Sequence, residues 1–228
     1  MTAPGGGRTA VVLSLAEELV GRRAAGPLRV GVDGRSAAGK TTLADELDMV
    51  VRALGRPCVR ASIDDFHPPG HAGRSGAGAW TPERYYAEGF DYRAFRELLL
   101  APLGPGGDRR CRLALWDASH DVAAAGEVVQ VPEDAVVVVD GAFLLRPELR
   151  DCWDYVIWVQ VDWDTMVERG VARDVAWVGP EQAVRERYRR LWIPLHELYE
   201  RHTGAPGLAD VVVDNTDPAH PRLERAGA

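Results

Sequence analysis

Lysine is almost absent from this 228-residue chain, and cysteine is scarce. The three cysteines stand at positions 58, 111 and 152, and none forms a Cys-x-x-Cys pair, so we expect reduced thiols and no zinc site of that type. No apolar run reaches the roughly 20 residues that a membrane-spanning helix needs. The longest, residues 135–145, is interrupted by Asp140. The N-terminal apolar stretch contains Glu17 and Glu18 and no small-residue cleavage site, which is not the pattern of a signal peptide. We therefore expect a cytoplasmic protein.

Basic residues are also fewer than acidic ones, 27 against 34, which gives a net charge of −7. This argues against nucleic acid or an anionic membrane as the main partner. We expect a small molecule as the partner. A homo-oligomer is compatible with the sequence. The length and the 46% hydrophobic content favour one globular domain over residues 9–228, after a flexible Gly-rich tail at 1–8. We expect a hairpin insertion at about 110–131 and a mobile loop at 68–80.

Five short runs rich in Val and Ile alternate with helical patterns. The runs, at 28–33, 57–63, 136–139, 155–161 and 209–213, predict strands that are buried on both faces. Helical spacing is found at 9–25, 40–54, 92–100, 165–174 and 180–202, and Pro194 should kink or divide the last helix. The sequence therefore predicts an α/β fold with a five-stranded parallel sheet flanked by helices.

A phosphate-binding loop follows the first predicted strand. The residues from Gly34 to Thr41 match G-x-x-x-x-G-K-[ST] between a strand and an amphipathic helix, which is the context of a P-loop NTPase. Lys40 is the only lysine among 27 Lys and Arg residues, which indicates that this position needs an ammonium group. Lys40 should reach the phosphates and Thr41 should bind magnesium. The predicted nucleotide-binding residues are Gly34, Arg35, Ser36, Ala37, Ala38, Gly39, Lys40, Thr41 and Thr42.

Carboxylates end the second and third predicted strands, where a doubly wound sheet places its ligands. We expect Asp64 to orient an acceptor hydroxyl and take its proton, although a strand-end Asp can also cap a turn. Asp140 follows four valines and should help Thr41 to hold magnesium.

Arginines and aromatic residues supply further candidates. Arg169 and Arg173 lie four apart on one helix face and could cover the transferring phosphoryl group, with residues 176–180 as a short lid, or they could form a solvated face. A solvated face is favoured for the arginines at 185, 187, 189 and 190. His67 and His71 fall in a loop with no third ligand in view, so zinc is disfavoured. The aromatic residues Tyr85, Tyr86, Phe90 and Tyr92 could form core or a platform for a planar substrate.

Together these motifs resemble the uridine kinase-like family of P-loop kinases, the group that includes phosphoribulokinases and pantothenate kinases. The similarity rests on five motifs that follow one another in order along most of the chain: the P-loop, S-x-D-D-F-H at 62–67, Phe90-Asp91, Asp140-Gly141 and R-x-x-x-R-D at 169–174. It implies ATP and Mg²⁺, and the 5'-hydroxyl of a nucleoside as acceptor. It implies that Asp64 is the catalytic base and that Asp64, Lys40 and Arg173 are the catalytic residues. It further implies that Asp91 holds the ribose hydroxyls, that Trp116 lies against the base and that Arg173 contacts the phosphates and the substrate. The predicted substrate-binding residues are Asp64, His67, Tyr86, Asp91, Trp116, His120, Arg169 and Arg173.

The chain departs from the family where the acceptor is recognised. It has Phe66-His67 where uridine kinases have Phe-Tyr, and Arg169-Gly170 where they have paired arginines. The segment at 116–120 aligns only with a shift. Asp91 also suits the N-cap of the 92–100 helix. A pantothenate-like or sugar-like acceptor is therefore an alternative to a nucleoside, and a nucleotide-dependent ATPase switch is the alternative of another class.

Overall fold

The computed structural model describes residues 7–69, 80–117, 122–124 and 127–225. Most of the tail predicted at 1–8, most of the loop predicted at 68–80 and part of the predicted insertion lie outside these ranges. In the described part of the chain, no helix is both long and apolar enough to cross a membrane.

A central sheet positions the rest of the fold. Its parallel strands are β1 (Leu28–Gly34), β2 (Cys58–Ser62), β7 (Val136–Asp140), β8 (Tyr155–Gln160) and β9 (Val211–Asp214). A sixth strand, β10 (Arg222–Arg225), pairs antiparallel with β9, and the order across the sheet is β10, β9, β8, β1, β7, β2. The predicted parallel core is confirmed, and the predicted strand count is corrected by one edge strand.

Helices cover both faces of this sheet, because β1, β7 and β8 are buried along almost their whole length. The helices are α1 (Arg8–Gly21), α2 (Lys40–Ala53), α3 (Pro82–Glu88), α4 (Tyr92–Phe95), α5 (Ala101–Leu103), α6 (Trp163–Val178), α7 (Glu181–Arg187), α8 (Ile193–Thr203) and α9 (Ala205–Leu208). Side chains alternate across the strands, so the core divides into one apolar layer on each face.

Two small antiparallel pairs lie in the region predicted as an insertion. Strand β3 (Arg110–Arg112) pairs with β6 (Val128–Gln130), and β4 (Trp116–Asp117) pairs with β5 (Val122–Ala123).

The helical segment before Pro194 is interrupted as predicted. A π-helical turn, Tyr188–Trp192, separates α7 from α8 and places Pro194 in the first turn of α8. Proline lacks an N–H and its ring clashes with the carbonyl four residues earlier, and a wider turn relieves both effects. Residues 176–180, predicted as a short lid, do not form a separate turn, because α6 continues to Val178 and only Gly179 and Pro180 separate it from α7.

Candidate active site

A cavity of about 770 Å³ lies at the carboxyl ends of β1, β7 and β2. Parallel pairing brings these ends together, because Asp140 lies in register with Val32 on one side and with Ser62 on the other. The residues that line the cavity come from the phosphate loop, the ends of β2 and β7, α3 with the turn after it, and the segment from α6 to the π-helical turn: Ser36, Ala37, Gly39, Lys40, Thr41, Thr42, Asp64, His67, Tyr85, Phe90, Asp140, Gly141, Ala142, Phe143, Arg169, Arg173, Trp177, Arg187 and Trp192.

The phosphate loop turns sharply out of β1. Gly34 has a φ of +145°, and a Cβ there would lie 2.3 Å from the carbonyl oxygen of Val159. Gly39 has a φ of +92° and caps the N-terminus of α2. The first amide groups of α2 therefore face the cavity, which is the arrangement that binds phosphate at a helix N-terminus.

Three residues of the predicted nucleotide-binding set do not line the cavity: Gly34, Arg35 and Ala38. The Arg35 side chain points away from it, because Nε and Nη2 donate to the Glu200 carboxylate at 2.8 and 3.0 Å. Nη1 of Arg35 donates to the carbonyl of Val161 at 2.7 Å, and the guanidinium stacks 3.6 Å from the ring centroid of Trp163. Arg35 thus fastens the loop to α8 and to the end of β8.

Helix α8 holds the loop at two further points. The Ser36 N–H donates to Nε2 of His196 at 2.9 Å, so in this buried imidazole Nε2 accepts. Burial lowers the pKa of His196 well below its ordinary value, which keeps the ring neutral. The Tyr199 hydroxyl donates to the fully buried Asp33 carboxylate at 2.5 Å. Burial raises the pKa of Asp33 to about 6, although Tyr199 and the N–H of Gly34 act in the opposite direction.

Lys40 lies beneath the loop. Its Nζ donates to the carbonyl of Arg35 at 2.9 Å. Burial lowers the pKa of Lys40, while the charges of Asp64, Asp33 and Asp140 act to raise it. Lys40 is therefore the cation around which the carboxylates of the site are arranged.

Thr41 and Asp140 form an oxygen-rich pair on the cavity wall. The Thr41 hydroxyl donates to Oδ2 of Asp140 at 2.6 Å, and Arg60 donates to Oδ1 at 2.9 Å. These hard oxygens suit Mg²⁺, which takes one or two protein ligands and completes its octahedron with water and phosphate oxygens. Within the described residues no group of three or more His, Cys, Asp and Glu side chains could hold a metal. The Thr41 and Asp140 oxygens fit a magnesium ion whose remaining ligands would be water and nucleotide oxygens.

Asp64 occupies a 3₁₀ turn, Ile63–Phe66, directly after β2. The Asp64 N–H donates to Oγ of Ser62 at 3.3 Å, so Ser62 caps this turn and the exposed Asp64 carboxylate lines the cavity. His67 lies beside it, with Nδ1 donating to the carbonyl of Gly89 at 2.6 Å and the ring stacked on Phe90. Burial lowers the pKa of His67.

Three residues that were predicted to bind the acceptor substrate do not line the cavity. Tyr86 packs beneath the guanidinium of Arg146, which is 4.1 Å from its ring centroid. Asp91 is exposed and accepts from the N–H of Ala94 at 2.9 Å, which is the N-cap role that its position also suited. Trp116 lies in β4. His120, like His71, lies outside the described residues.

Both arginines predicted on α6 line the cavity. Arg169 donates to the carbonyls of Asn215 and Thr216 at 2.9 and 3.0 Å. Arg173 pairs with the buried Asp174, with Nε donating to Oδ1 at 2.6 Å. Tyr188 donates to the same carboxylate at 3.2 Å. The two guanidinium groups are thus held in place by the protein.

Sequence reasoning missed several residues of the cavity. Trp192 and Phe143 were not singled out, Trp177 was included only as part of the lid predicted at 176–180, and Arg187 was assigned to a solvated face. That assignment was based on Glu181 and Glu186, whose alternation with the arginines is typical of a solvent-exposed helix face. No pattern in the sequence separates Tyr85 from Tyr86, although only Tyr85 lines the cavity.

Two uridine kinases are similar to this chain in sequence. No family model matches the chain. A uridine kinase from Halobacterium salinarum is 26% identical over 186 residues, 81% of this chain and 78% of that protein. A uridine kinase from Clostridium perfringens is 23% identical over 192 residues, 82% of this chain and 86% of that protein. The chain is similar in sequence to these two uridine kinases. The resemblance stated from the motifs is confirmed.

Solved structures agree on the fold of this uridine kinase-like chain. A possible uridine kinase from Bacillus stearothermophilus superposes with a TM-score of 0.69 at 21% identity, over 90% of this chain and 98% of that chain. A protein from Silicibacter sp. TM1040, provisionally described as a fructose transport system kinase, gives a TM-score of 0.67 at 25% identity, over 83% of this chain and 94% of that chain. The fold is that of the P-loop kinases.

Proposed function

We propose that the protein is a kinase that transfers the γ-phosphoryl group of ATP, with Mg²⁺, to the hydroxyl group of a small organic acceptor. One observation carries this proposal: Asp64 lines the same cavity as Lys40 and Thr41. A nucleotide switch needs no carboxylate for an organic hydroxyl, whereas a kinase needs one in this place.

The donor end of the reaction is formed by the phosphate loop. The amide groups at the start of α2 and the Lys40 ammonium bind the phosphates of ATP, and Thr41 and Asp140 are the residues that would hold Mg²⁺. When bound, the ion neutralises charge on the β- and γ-phosphates. Arg173 supplies a positive charge beside the transferring phosphoryl group, and Asp174 and Tyr188 hold this arginine at the cavity wall.

At the acceptor end, Asp64 accepts a hydrogen bond from the acceptor hydroxyl and orients it toward the γ-phosphorus. A bond then forms between the acceptor oxygen and phosphorus, and the bond from phosphorus to the β–γ bridging oxygen breaks. ADP leaves, and the hydroxyl proton passes to the Asp64 carboxylate. The products are ADP and a phosphate monoester.

The acceptor class that the uridine kinase relatives favour is a nucleoside or a nucleoside-like alcohol. Aromatic rings on the cavity wall support a planar or ring-containing substrate, because His67, Phe90, Tyr85 and Trp192 follow one another along it. Mass spectrometry of nucleosides, pantothenate and sugars incubated with protein, ATP and Mg²⁺ identifies the acceptor directly. Release of inorganic phosphate with no phosphorylated organic product would contradict the proposal and favour the ATPase switch.

Asp64→Asn tests the role of the carboxylate. We expect single-turnover phosphorylation to fall by roughly 10²-fold or more while ATP affinity is largely kept, because the carboxylate acts mainly in the transition state. Asp65→Asn is the matched control, since Asp65 is the neighbouring carboxylate and does not line the cavity. Loss of ATP affinity in Asp64→Asn without a change in the rate of the bound complex would make Asp64 a nucleotide or metal ligand.

A further inference from the structure

Three arginines line the cavity, and two of them are already engaged by the protein. Arg169 is bound to two backbone carbonyls, and Arg173 to the Asp174 carboxylate. The third, Arg187, is the last residue of α7 and is half-buried. Within the described ranges, its guanidinium makes no hydrogen bond or ion pair with another side chain.

The neighbours of Arg187 along the same segment differ from it. Arg185 pairs with Glu168 and Glu181, and Arg190 pairs with Glu186, so the acidic side chains nearby are used by other arginines. The environment of the Arg187 guanidinium is aromatic instead. It lies 5.2 Å from the ring centroid of Trp177 and 5.6 Å from that of Trp192.

The position of Arg187 places it at the acceptor end. Trp192 contacts Tyr85, with ring centroids 5.0 Å apart, and Tyr85 contacts Phe90, on which His67 is stacked. The charges of Asp64 and Arg187 both act on the Tyr85 hydroxyl, in opposite directions. Asp64, Tyr85 and Arg187 therefore line one cavity, and the carboxylate proposed to bind the acceptor hydroxyl and the Arg187 guanidinium both lie near Tyr85.

We propose that Arg187 binds an anionic group of the acceptor, so that the substrate is an alcohol that also carries a carboxylate or a phosphate group. The proposal rests on the kinase function proposed above. A guanidinium presents a planar fork of N–H donors that matches both anions, and the flanking tryptophan rings stabilise its charge without using those donors. The hydroxyl at Asp64 and the anion at Arg187 would bind in the same cavity.

Matched acid and neutral alcohols test this. The probes are D-glycerate with glycerol, pantothenate with panthenol, fructose 1-phosphate with fructose, and uridine as a neutral nucleoside. Each is titrated by calorimetry into protein loaded with Mg²⁺ and a non-hydrolysable ATP analogue, and each is assayed for phosphorylation with ATP. We expect at least one anionic probe to bind roughly 10-fold or more tightly than its neutral partner. The carboxylate and phosphate pairs show which anion is preferred.

Variants identify the residue responsible. Arg187→Gln should lower affinity and kcat/KM for that anionic probe by roughly 10-fold or more and leave its neutral partner nearly unchanged, and Arg187→Lys should recover part of the loss. Arg189→Gln is the matched control, because Arg189 lies two residues away, is exposed and does not line the cavity. It should behave as wild type.

The inference is overturned if every neutral probe binds as tightly as its anionic partner or more tightly. It is also overturned if Arg187→Gln lowers affinity equally for anionic and neutral probes, or lowers affinity for ATP alone. A fourth contradicting outcome is that Arg187→Gln and Arg189→Gln behave alike. Turnover of a neutral alcohol that depends on Asp64 would leave the kinase proposal standing while this inference fails. Binding of an anion through Arg187 without any phosphorylation would do the reverse.

Discussion

Gly170 of helix α6 lies directly against the ring of Tyr188. A Cβ at this position would lie 2.0 Å from Cζ of the Tyr188 ring. The Tyr188 hydroxyl donates to Asp174 and accepts from Arg173, so the missing side chain allows the contacts that seat a cavity arginine. The chain has glycine where uridine kinases have the second of two arginines, and this close approach is the physical reason that the structure supplies.

Gly170→Ala should destabilise the protein although alanine is the better helix former. The helix gains about 1 kcal/mol from the substitution, but overpacking against a buried tyrosine costs about 1–3 kcal/mol. We expect a net loss in the free energy of unfolding and lower turnover because Arg173 loses its position. Urea unfolding and kcat measure the two effects. Gly21→Ala is the control, since nothing lies within 4 Å of a Cβ there, and equal behaviour of the two variants would contradict the prediction.

Lys40→Arg should be far more damaging than its conservative appearance suggests. Nζ fits beneath the loop as a compact charge 2.9 Å from the carbonyl of Arg35, and a planar guanidinium needs more room. We expect kcat/KM to fall by roughly 10²-fold or more while thermal unfolding shows a folded protein. Turnover at the wild-type rate would rule out Lys40 as the residue that reaches the phosphates.

Single residues show where sequence reasoning succeeds. The contact between Thr41 and Asp140 follows from motif and topology, because a loop after one strand and a carboxylate after its neighbour must meet at one edge of the sheet. The placement of Arg187 could not be predicted for two reasons. A π-helical turn follows it and interrupts the regular helical spacing. The sequence also does not show that the nearby glutamates pair with Arg185 and Arg190.

At the scale of the element, α8 is the support of the phosphate loop. His196, Tyr199 and Glu200 lie on one turn of this helix and contact Ser36, Asp33 and Arg35 respectively. Residues 193–203 carried no nucleotide-binding motif, and their role depends on contacts more than 150 residues apart in the chain. The helix itself was predictable from its periodicity, but its partner was not.

Glu200→Gln should loosen the loop. The substitution leaves the buried Arg35 guanidinium without a compensating carboxylate, which we expect to cost about 1–3 kcal/mol of stability. The KM for ATP should rise more than the KM for the acceptor, because the loop and not the acceptor wall is displaced. The control is Glu197→Gln on the same helix, where Glu197 forms a surface ion pair with Arg201 at 3.7 Å, and it should change neither value. A uniform change in both KM values would contradict a role in loop positioning.

For the whole molecule, the parallel core was predictable because its strands are nearly continuous apolar runs. The edge strand β10 was not, since its sequence Arg-Leu-Glu-Arg places only Leu223 against the core and its other side chains in solvent. An antiparallel edge strand carries no apolar run, and pairing with β9 is its only signature.

The stability of the whole fold should depend on the protonation of Asp33. Its folded pKa of about 6 exceeds its ordinary value of 3.8, so between about pH 4 and pH 6 the folded state holds a proton that the unfolded state has released. Stability from this group is present below pH 4 and is lost as pH rises toward 6. Relative to wild type, Asp33→Asn should therefore gain stability across this window, by up to about 3 kcal/mol. Urea unfolding of both proteins from pH 4 to 7 measures the difference, and a difference that does not change with pH would contradict it.

The contact between Thr41 and Asp140 also fixes the direction of one hydroxyl group. A hydroxyl has a single proton and two lone pairs. At Thr41 that proton points along the 2.6 Å bond to Oδ2 of Asp140, so only lone pairs remain for the cavity. A carbonyl or phosphate oxygen that approaches this atom meets electron density, whereas a cation is attracted. Asp140, 99 positions further along the chain, thus makes Thr41 at the start of α2 selective for cations before any ligand binds.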